Sequence, residues 1–262
     1  MDSNPAVSIE GAVLVIENRN PMARNALTAE FMDGVTKAIT AADADRVVRA
    51  VVLCGQGEHF CAGGDLRSLR ERAKWSQAQR EASLDRLNGM VMAIRNCGKP
   101  VIAAVEGYAV GAGMALALAC DLLVASRSAT FKASYVAVGL TPDGGTTASL
   151  ANVVPRQLAN ELCMSASPIG SEQLHALGVV NALTEPGSAR ADALALAARL
   201  AGGPARALRR IKQLNLQASI TPFEEQMRQE ARFMAESIGD AEAAEGISAF
   251  LDKRTATFAA IA

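Results

Sequence analysis

Apolar positions in the first half of the chain follow two alternating periods. Residues 7–9 and 13–17 read as short strands turned at Glu10-Gly11. Residues 48–53 form a wholly apolar, β-branched run, the pattern of a strand buried on both faces, and 100–105 and 121–125 read the same way. Helical spacings fall between these runs. Thr28 can cap a helix running to about residue 40, with Phe31, Val35, Ala38 and Ile39 on one face. Gly55-Gln56-Gly57 breaks the strand before it. Leu84, Leu87, Met90, Val91 and Ile94 share one face of a polar helix over 77–96, and a short helix covers 114–119. After Thr146 helical patterns dominate: 147–152, 157–164, 171–177, 189–201, 205–218, 222–236 and 240–253. Strands alternating with helices predict α/β layering up to about Ala182, and the tail from Pro204 reads as helical. No internal repeat or low-complexity linker interrupts the pattern.

Composition narrows the function classes. The chain has 262 residues, half of them hydrophobic and a fifth charged, enough for one large domain. Its 26 Lys and Arg against 27 Asp and Glu leave a net charge of −1, which favours neither nucleic acid nor an anionic membrane as partner. The longest uncharged apolar run, Gly107 to Cys120, is 14 residues and holds three glycines. A membrane span needs about 20 residues. The opening Met1-Asp2-Ser3-Asn4-Pro5 lacks the basic and apolar regions of a secretory signal. Five cysteines without C-x-x-C spacing read as reduced thiols of a cytoplasmic protein, and His59 and His175 alone cannot make a histidine-rich metal site. No metal or separate cofactor is expected.

Candidate chemistry sits in two glycine loops that follow buried strands and open onto helices: Cys61-Ala62-Gly63-Gly64-Asp65-Leu66 and Val110-Gly111-Ala112-Gly113-Met114. Small residues let a ligand approach the main chain, and a helix N-terminus aims free N–H groups at negative charge. Two such groups converging on one point would form an oxyanion hole. Either loop taken alone is read more plainly as a tight turn that allows close helix packing. Neither is a P-loop or a G-x-G-x-x-G nucleotide loop.

Taken together, the blocks resemble the enoyl-CoA hydratase/isomerase (crotonase) superfamily. They are Asn20-Pro21-x-x-Arg24-Asn25-Ala26-Leu27, Phe60-Cys61-Ala62-Gly63-Gly64-Asp65-Leu66 and Lys99-Pro100-Val101-Ile102-Ala103-Ala104-Val105-Glu106-Gly107. Gly111-Ala112-Gly113 through Ala119-Cys120-Asp121 follows, then Gly139-Leu140-Thr141-Pro142-Asp143-Gly144-Gly145-Thr146 and Glu245-Gly246-Ile247 through Lys253-Arg254. The resemblance covers essentially the whole chain, in order. It implies an α/β spiral of ββα units over residues 1–200 and a C-terminal helical trimerisation region over 201–262. It also implies a homotrimer or a dimer of trimers, with an acyl-CoA thioester as substrate and coenzyme A present only as part of it. Carried over by position, the oxyanion donors are the N–H groups of Gly64 and Ala112. Ala23, Arg24, Ala62, Asp65 and Leu66 line the coenzyme A cleft. Phe250 and Lys253 reach the nucleotide end, from a neighbouring subunit, although Lys253 reads equally as a solvated charge.

The sequence departs from the family's hydratases, which use two glutamates to add water. Their positions are occupied here by Ala115 and Tyr135. Neither side chain can serve as the acid–base pair. A carboxylate stands instead at Asp143, in a segment resembling that of Δ3,Δ2-enoyl-CoA isomerases and bacterial ring isomerases of phenylacetate breakdown. There one acidic group moves a proton from C2 to C4. Pro142-Asp143-Gly144 is also a strong turn former, which is the bland reading of the same residue. Tyr135 is expected to fill the space of a glutamate, or to donate a hydrogen bond to substrate. Glu106 reads as a paired structural carboxylate, Asp121 as structural, Asp65 as an acceptor of local N–H groups and His59 as a rim residue. Cys61 lacks the base a nucleophile needs, and no hydrolase triad is present. An allylic double-bond isomerase is therefore the leading expectation. Enoyl-CoA hydration, an isomerase or hydrolase acting on ring-derived acyl-CoA, and non-catalytic acyl-CoA binding are the alternatives.

Overall fold

The computed structural model describes residues 4–258 and residue 261. Strands β1 (Ala6–Glu10) and β2 (Val13–Asn18) pair antiparallel. Strands β3 (Ala50–Gly55), β4 (Val101–Val105), β6 (Leu122–Ser126) and β9 (Ala182–Thr184) then add in parallel to complete a six-stranded sheet. A second sheet is small: β5 (Tyr108–Val110) pairs parallel with β7 (Thr130–Lys132), which pairs antiparallel with β8 (Pro168–Gly170).

The chain climbs in ββα turns, so the expected spiral with a helical C-terminal region is the observed architecture. In the two central turns the first strand enters the large sheet and the second enters the small one. β4 and β5 lead into α4 (Ala112–Ala119); β6 and β7 lead into a 3₁₀ turn at Ser134–Val138. In the turn before them β3 is followed by Cys61, which bridges in parallel to Ala109 of β5, and then by α2 (Leu66–Arg72).

Both faces of the large sheet are covered, which explains why its central strands are apolar at every position. On one face lie α1 (Ala29–Ala44), α3 (Gln77–Asn96) and α4. On the other, α8 (Ala189–Ala201) presents Ala189, Ala193, Ala197 and Ala201, all buried. Alanine at every fourth position gives that helix a flat stripe that can approach Val52, Ile102 and Val124 closely. The C-terminal helices α9 (Ala205–Ala218), α10 (Phe223–Ile238) and α11 (Ala241–Leu251) follow. Among the described residues no helix is long and apolar enough to cross a membrane.

Several boundaries differ from those expected. The strand expected over 48–53 is displaced to Ala50–Gly55, and the helix capped by Thr28 continues to Ala44. The loop expected over 107–113 contains β5, and α2 is a short helix not expected there, whereas the helix expected over 77–96 is α3 with those bounds, opened by the capping box of Ser76 and Gln79. β5, β7, β8 and β9 have only three residues each, too few to show a period.

Candidate active site

The spiral brings the two glycine loops together by register. Cys61 and Ala109 are bridge partners, with Cys61 N–H donating to Tyr108 O at 2.9 Å and Val110 N–H to Cys61 O at 2.9 Å. Gly64 and Ala112 each lie three residues beyond one of those partners, so both loops leave the small sheet at the same edge. Gly63 is where they touch. Its φ is +90°, and a Cβ there would stand 2.6 Å from Val110 O and 3.4 Å from Ala112 N. Only glycine meets both demands. Among the described residues the N–H groups of Gly64 and Ala112 have no acceptor. Ala112 is the first residue of α4, and Asp65 caps α2 by accepting from Arg67 N–H at 2.9 Å.

The next turn of the spiral adds a third row. Ala109 pairs with Phe131, and the chain leaving Phe131 reaches Ser134 and Tyr135 beside Gly111. A Cβ on Gly111 would lie 3.8 Å from Ser134 Oγ and 3.9 Å from Tyr135 Cζ. Tyr135 is buried, and its hydroxyl is 3.1 Å from Thr146 Oγ1. Thr146 Oγ1 in turn donates to the Asp143 carbonyl at 2.8 Å.

Asp143 opens a tight turn closed by Thr146 N–H donating to Asp143 O at 3.1 Å, with both central glycines at positive φ. The turn reading and the cleft reading thus hold together: the turn is what carries the carboxyl into the cleft. Asp143 Oδ1 is buried without a hydrogen-bond partner. Burial raises the carboxyl's pKa from its ordinary value, while the adjacent Tyr135 hydroxyl and the Arg72 charge pull the other way. Ala115 is buried against the same turn: a Cβ on Gly144 would stand 3.2 Å from the Ala115 methyl and 3.1 Å from Leu87 Cδ2. A glutamate at 115 would have to occupy space that the 143–146 turn already fills.

One cleft of about 760 Å³ collects most of these groups. Of the residues singled out by the sequence, Ala62, Gly64, Asp65, Leu66, Ala112, Tyr135 and Asp143 line it. Ala23 and Arg24 do not; they are exposed, and Arg24 touches the first loop through its carbonyl, which accepts from Ala62 N–H at 3.0 Å. Phe250 and Lys253, at the end of α11, lie outside the cleft and are exposed within the single chain. The cleft also holds residues that the sequence did not single out: Leu69, Arg72, Arg80, Ser83, Val138 and Leu140. Leu69 and Arg72 lie on α2, Arg80 and Ser83 on α3, and Val138 and Leu140 at and after the 3₁₀ turn; that these elements face one cleft depends on packing.

The remaining titratable groups are structural. Glu106 is not paired with a cation, as expected for it, but accepts from Ala189 N–H at 2.9 Å and so satisfies the first turn of α8. Asp121 accepts from Val101 N–H at 2.8 Å and from Lys212 Nζ at 2.7 Å. Burial pushes the Cys61 thiol up to about 12, so it is no nucleophile at neutral pH. His59 is half-buried with its ring 4.8 Å from that of Tyr108.

Known proteins resemble this chain in sequence and fold. The sequence profile of the enoyl-CoA hydratase/isomerase family matches residues 8–260. A 2,3-dehydroadipyl-CoA hydratase of Escherichia coli K12 is 32% identical, covering 96% of this chain and 97% of that protein. A 1,2-epoxyphenylacetyl-CoA isomerase of the same organism is 31% identical, covering 95% and 96%. The crystal structure of an enoyl-CoA hydratase from Polaromonas sp. JS666 superposes with a TM-score of 0.95 at 40% identity, covering 97% of this chain and 99% of that one.

Proposed function

Given that the chain belongs to the enoyl-CoA hydratase/isomerase family, we propose that it is a double-bond isomerase acting on an enoyl-CoA. The observation that carries this reading is the Asp143 carboxyl: half-buried in the cleft, raised in pKa and with Oδ1 unpartnered. In this mechanism the thioester oxygen accepts from the N–H groups of Gly64 and Ala112. Asp143 removes a proton from C2, the two N–H groups hold the negative charge of the dienolate, and the same carboxyl returns the proton to C4. Each backbone donor of this kind contributes roughly 10²–10³ in rate, and a positioned general base a further 10²–10⁴. Coenzyme A lies along Ala23, Arg24, Ala62, Asp65 and Leu66, with Phe250 and Lys253 contributed by a neighbouring subunit. Residues 201–262 form the contact that builds a trimer or a dimer of trimers. The site is the cytoplasm, in keeping with five unpaired thiols.

Hydration is the second reading, favoured by the hydratase names among the relatives. It requires a second carboxylate, and the only other one lining the cleft among the described residues is Asp65, which is engaged as the cap of α2. An isomerase acting on a ring-derived acyl-CoA stands beside it, from the phenylacetyl-CoA relative.

The test is incubation of the pure protein with a 3-enoyl-CoA and, separately, a 2-enoyl-CoA, with products resolved by chromatography and mass. A rearranged product of unchanged mass, lost by about 10² or more in Asp143→Asn, is the expected result. Gain of one water would transfer the assignment to hydratase. Binding without turnover would leave a non-catalytic acyl-CoA protein.

A further inference from the structure

We propose that Arg72 makes the far end of the cleft a receptor for a carboxylate, so that the preferred substrate is an acyl-CoA whose chain itself ends in a carboxyl group. The inference rests on the reading of the cleft as an acyl-CoA site.

Arg72 ends α2, whose first turn lies beside the Gly64 loop. At 1.5 Å per residue the helix carries it about 9 Å beyond Leu66. It lines the cleft and is half-buried. Its guanidinium donates to Ser68 Oγ at 3.1 Å and to Ser83 Oγ at 3.5 Å, both neutral. Among the described residues no carboxylate lies within ion-pair distance of it, whereas the buried cation Lys212 has Asp121 at 2.7 Å. Asp143 is close enough to feel its charge but does not bond to it. Beside it Arg80, also on the cleft wall, is held by the carbonyls of Trp75 at 2.8 Å and Ala73 at 3.3 Å, again with no acid.

Leu69, Leu84 and Leu87 line the same cleft, and Leu69 Cδ1 lies beside the first glycine loop, 3.8 Å from where a Cβ on Gly64 would stand. The lining is therefore that of an apolar segment followed by an anion. A methyl-ended chain reaching Arg72 would strip water from a guanidinium and return nothing. A carboxylate would replace that water with charge-assisted hydrogen bonds, and the planar guanidinium can supply two in parallel. The phosphates of coenzyme A are common to every thioester and do not enter this discrimination.

Calorimetric binding to the full-length protein tests the idea without requiring turnover. A series of ω-carboxyacyl-CoA thioesters from succinyl to sebacyl is measured, each against the plain acyl-CoA of equal length. At least one ω-carboxy thioester is expected to bind about tenfold or more tighter than its plain counterpart, a typical effect of a hydrogen bond to a charged group. The ratio should fall to about one in Arg72→Met and be partly kept in Arg72→Lys. Ratios at or below one throughout the wild-type series overturn the proposal, as does a preference that survives in Arg72→Met. If that variant does not fold, Arg72→Lys decides: an undiminished ratio counts against the bidentate contact. A preserved preference with no isomerisation would sink the isomerase reading alone. Failure to bind any acyl-CoA would sink both.

Discussion

Asp143 carries opposite consequences for catalysis and for stability. Burial raises its pKa, so the folded protein holds a proton there more tightly than the unfolded chain does. Stability contributed by this group is therefore present at low pH and lost as pH rises through the carboxyl's folded value. A base must be ionised to act, so the isomerase rate should rise over that same window, with an acid limb displaced upward from that of an ordinary aspartate. Asp143→Asn is expected to lower turnover by about 10² or more while raising, or leaving unchanged, the thermal midpoint at neutral pH. A fall in midpoint by several degrees would show the carboxyl to be structural. Gly63 makes the complementary case, because its role is purely spatial. Gly63→Ala places a methyl 2.6 Å from Val110 O at a φ of +90° and forces the two loops apart. The expected result is a loss of about 10²–10³ in kcat, since one hole donor is displaced, measured against unchanged circular dichroism. Normal turnover in this variant would mean the loops do not share a site.

At the scale of elements, distant elements are tied together by single polar side chains placed where a helix or strand end lacks a partner. Glu242 of α11 accepts from Arg206 N–H at 3.0 Å and closes the start of α9, where Pro204 offers no side-chain cap. Glu106 does the same for α8. The strongest such tie is Lys212. Buried on α9, it reaches Ile94 O at 3.0 Å, Lys99 O at 3.3 Å and Asp121 Oδ2 at 2.7 Å, joining the C-terminal helices to α3, β4 and β6. Burial holds the Asp121 carboxyl above its ordinary pKa even with Lys212 opposing it. Lys212→Met would leave that carboxylate uncompensated and is expected to cost about 3–5 kcal/mol in denaturant unfolding. The double change Lys212→Met, Asp121→Asn should recover part of it. A loss below about 1 kcal/mol in the single variant would show the tie to be dispensable, at the level of a surface pair.

At the scale of the whole molecule, the single chain leaves an apolar stripe uncovered. Phe223, Met227, Met234 and Ile238 recur on one face of α10, and all are exposed. Contiguous apolar surface of this kind normally marks an interface. Light scattering on the purified protein should return three or six times the protomer mass. Met227→Glu with Met234→Glu should lower it to one. A wild-type protein that runs as a monomer would remove the neighbouring subunit from the proposed nucleotide contacts of Phe250 and Lys253.

What the sequence determined by itself is local. Periods of two and of 3.6 residues come from how side chains leave a strand or a helix, so Val101–Val105 and Ala205–Ala218 are visible in a short window. The glycine-loop residue types, and the absence of glutamate at Ala115 and Tyr135, are equally visible. What only the tertiary structure decided is adjacency. Gly64 and Ala112 share an edge because Cys61 registers against Ala109, far along the chain. The Asp143–Thr146 turn meets Ala115 because its left-handed Gly144 fits against α4. Arg72 faces the cleft, and Glu106 serves a helix instead of a cation, for the same reason: strand register and helix packing join residues whose separation carries no periodic signal.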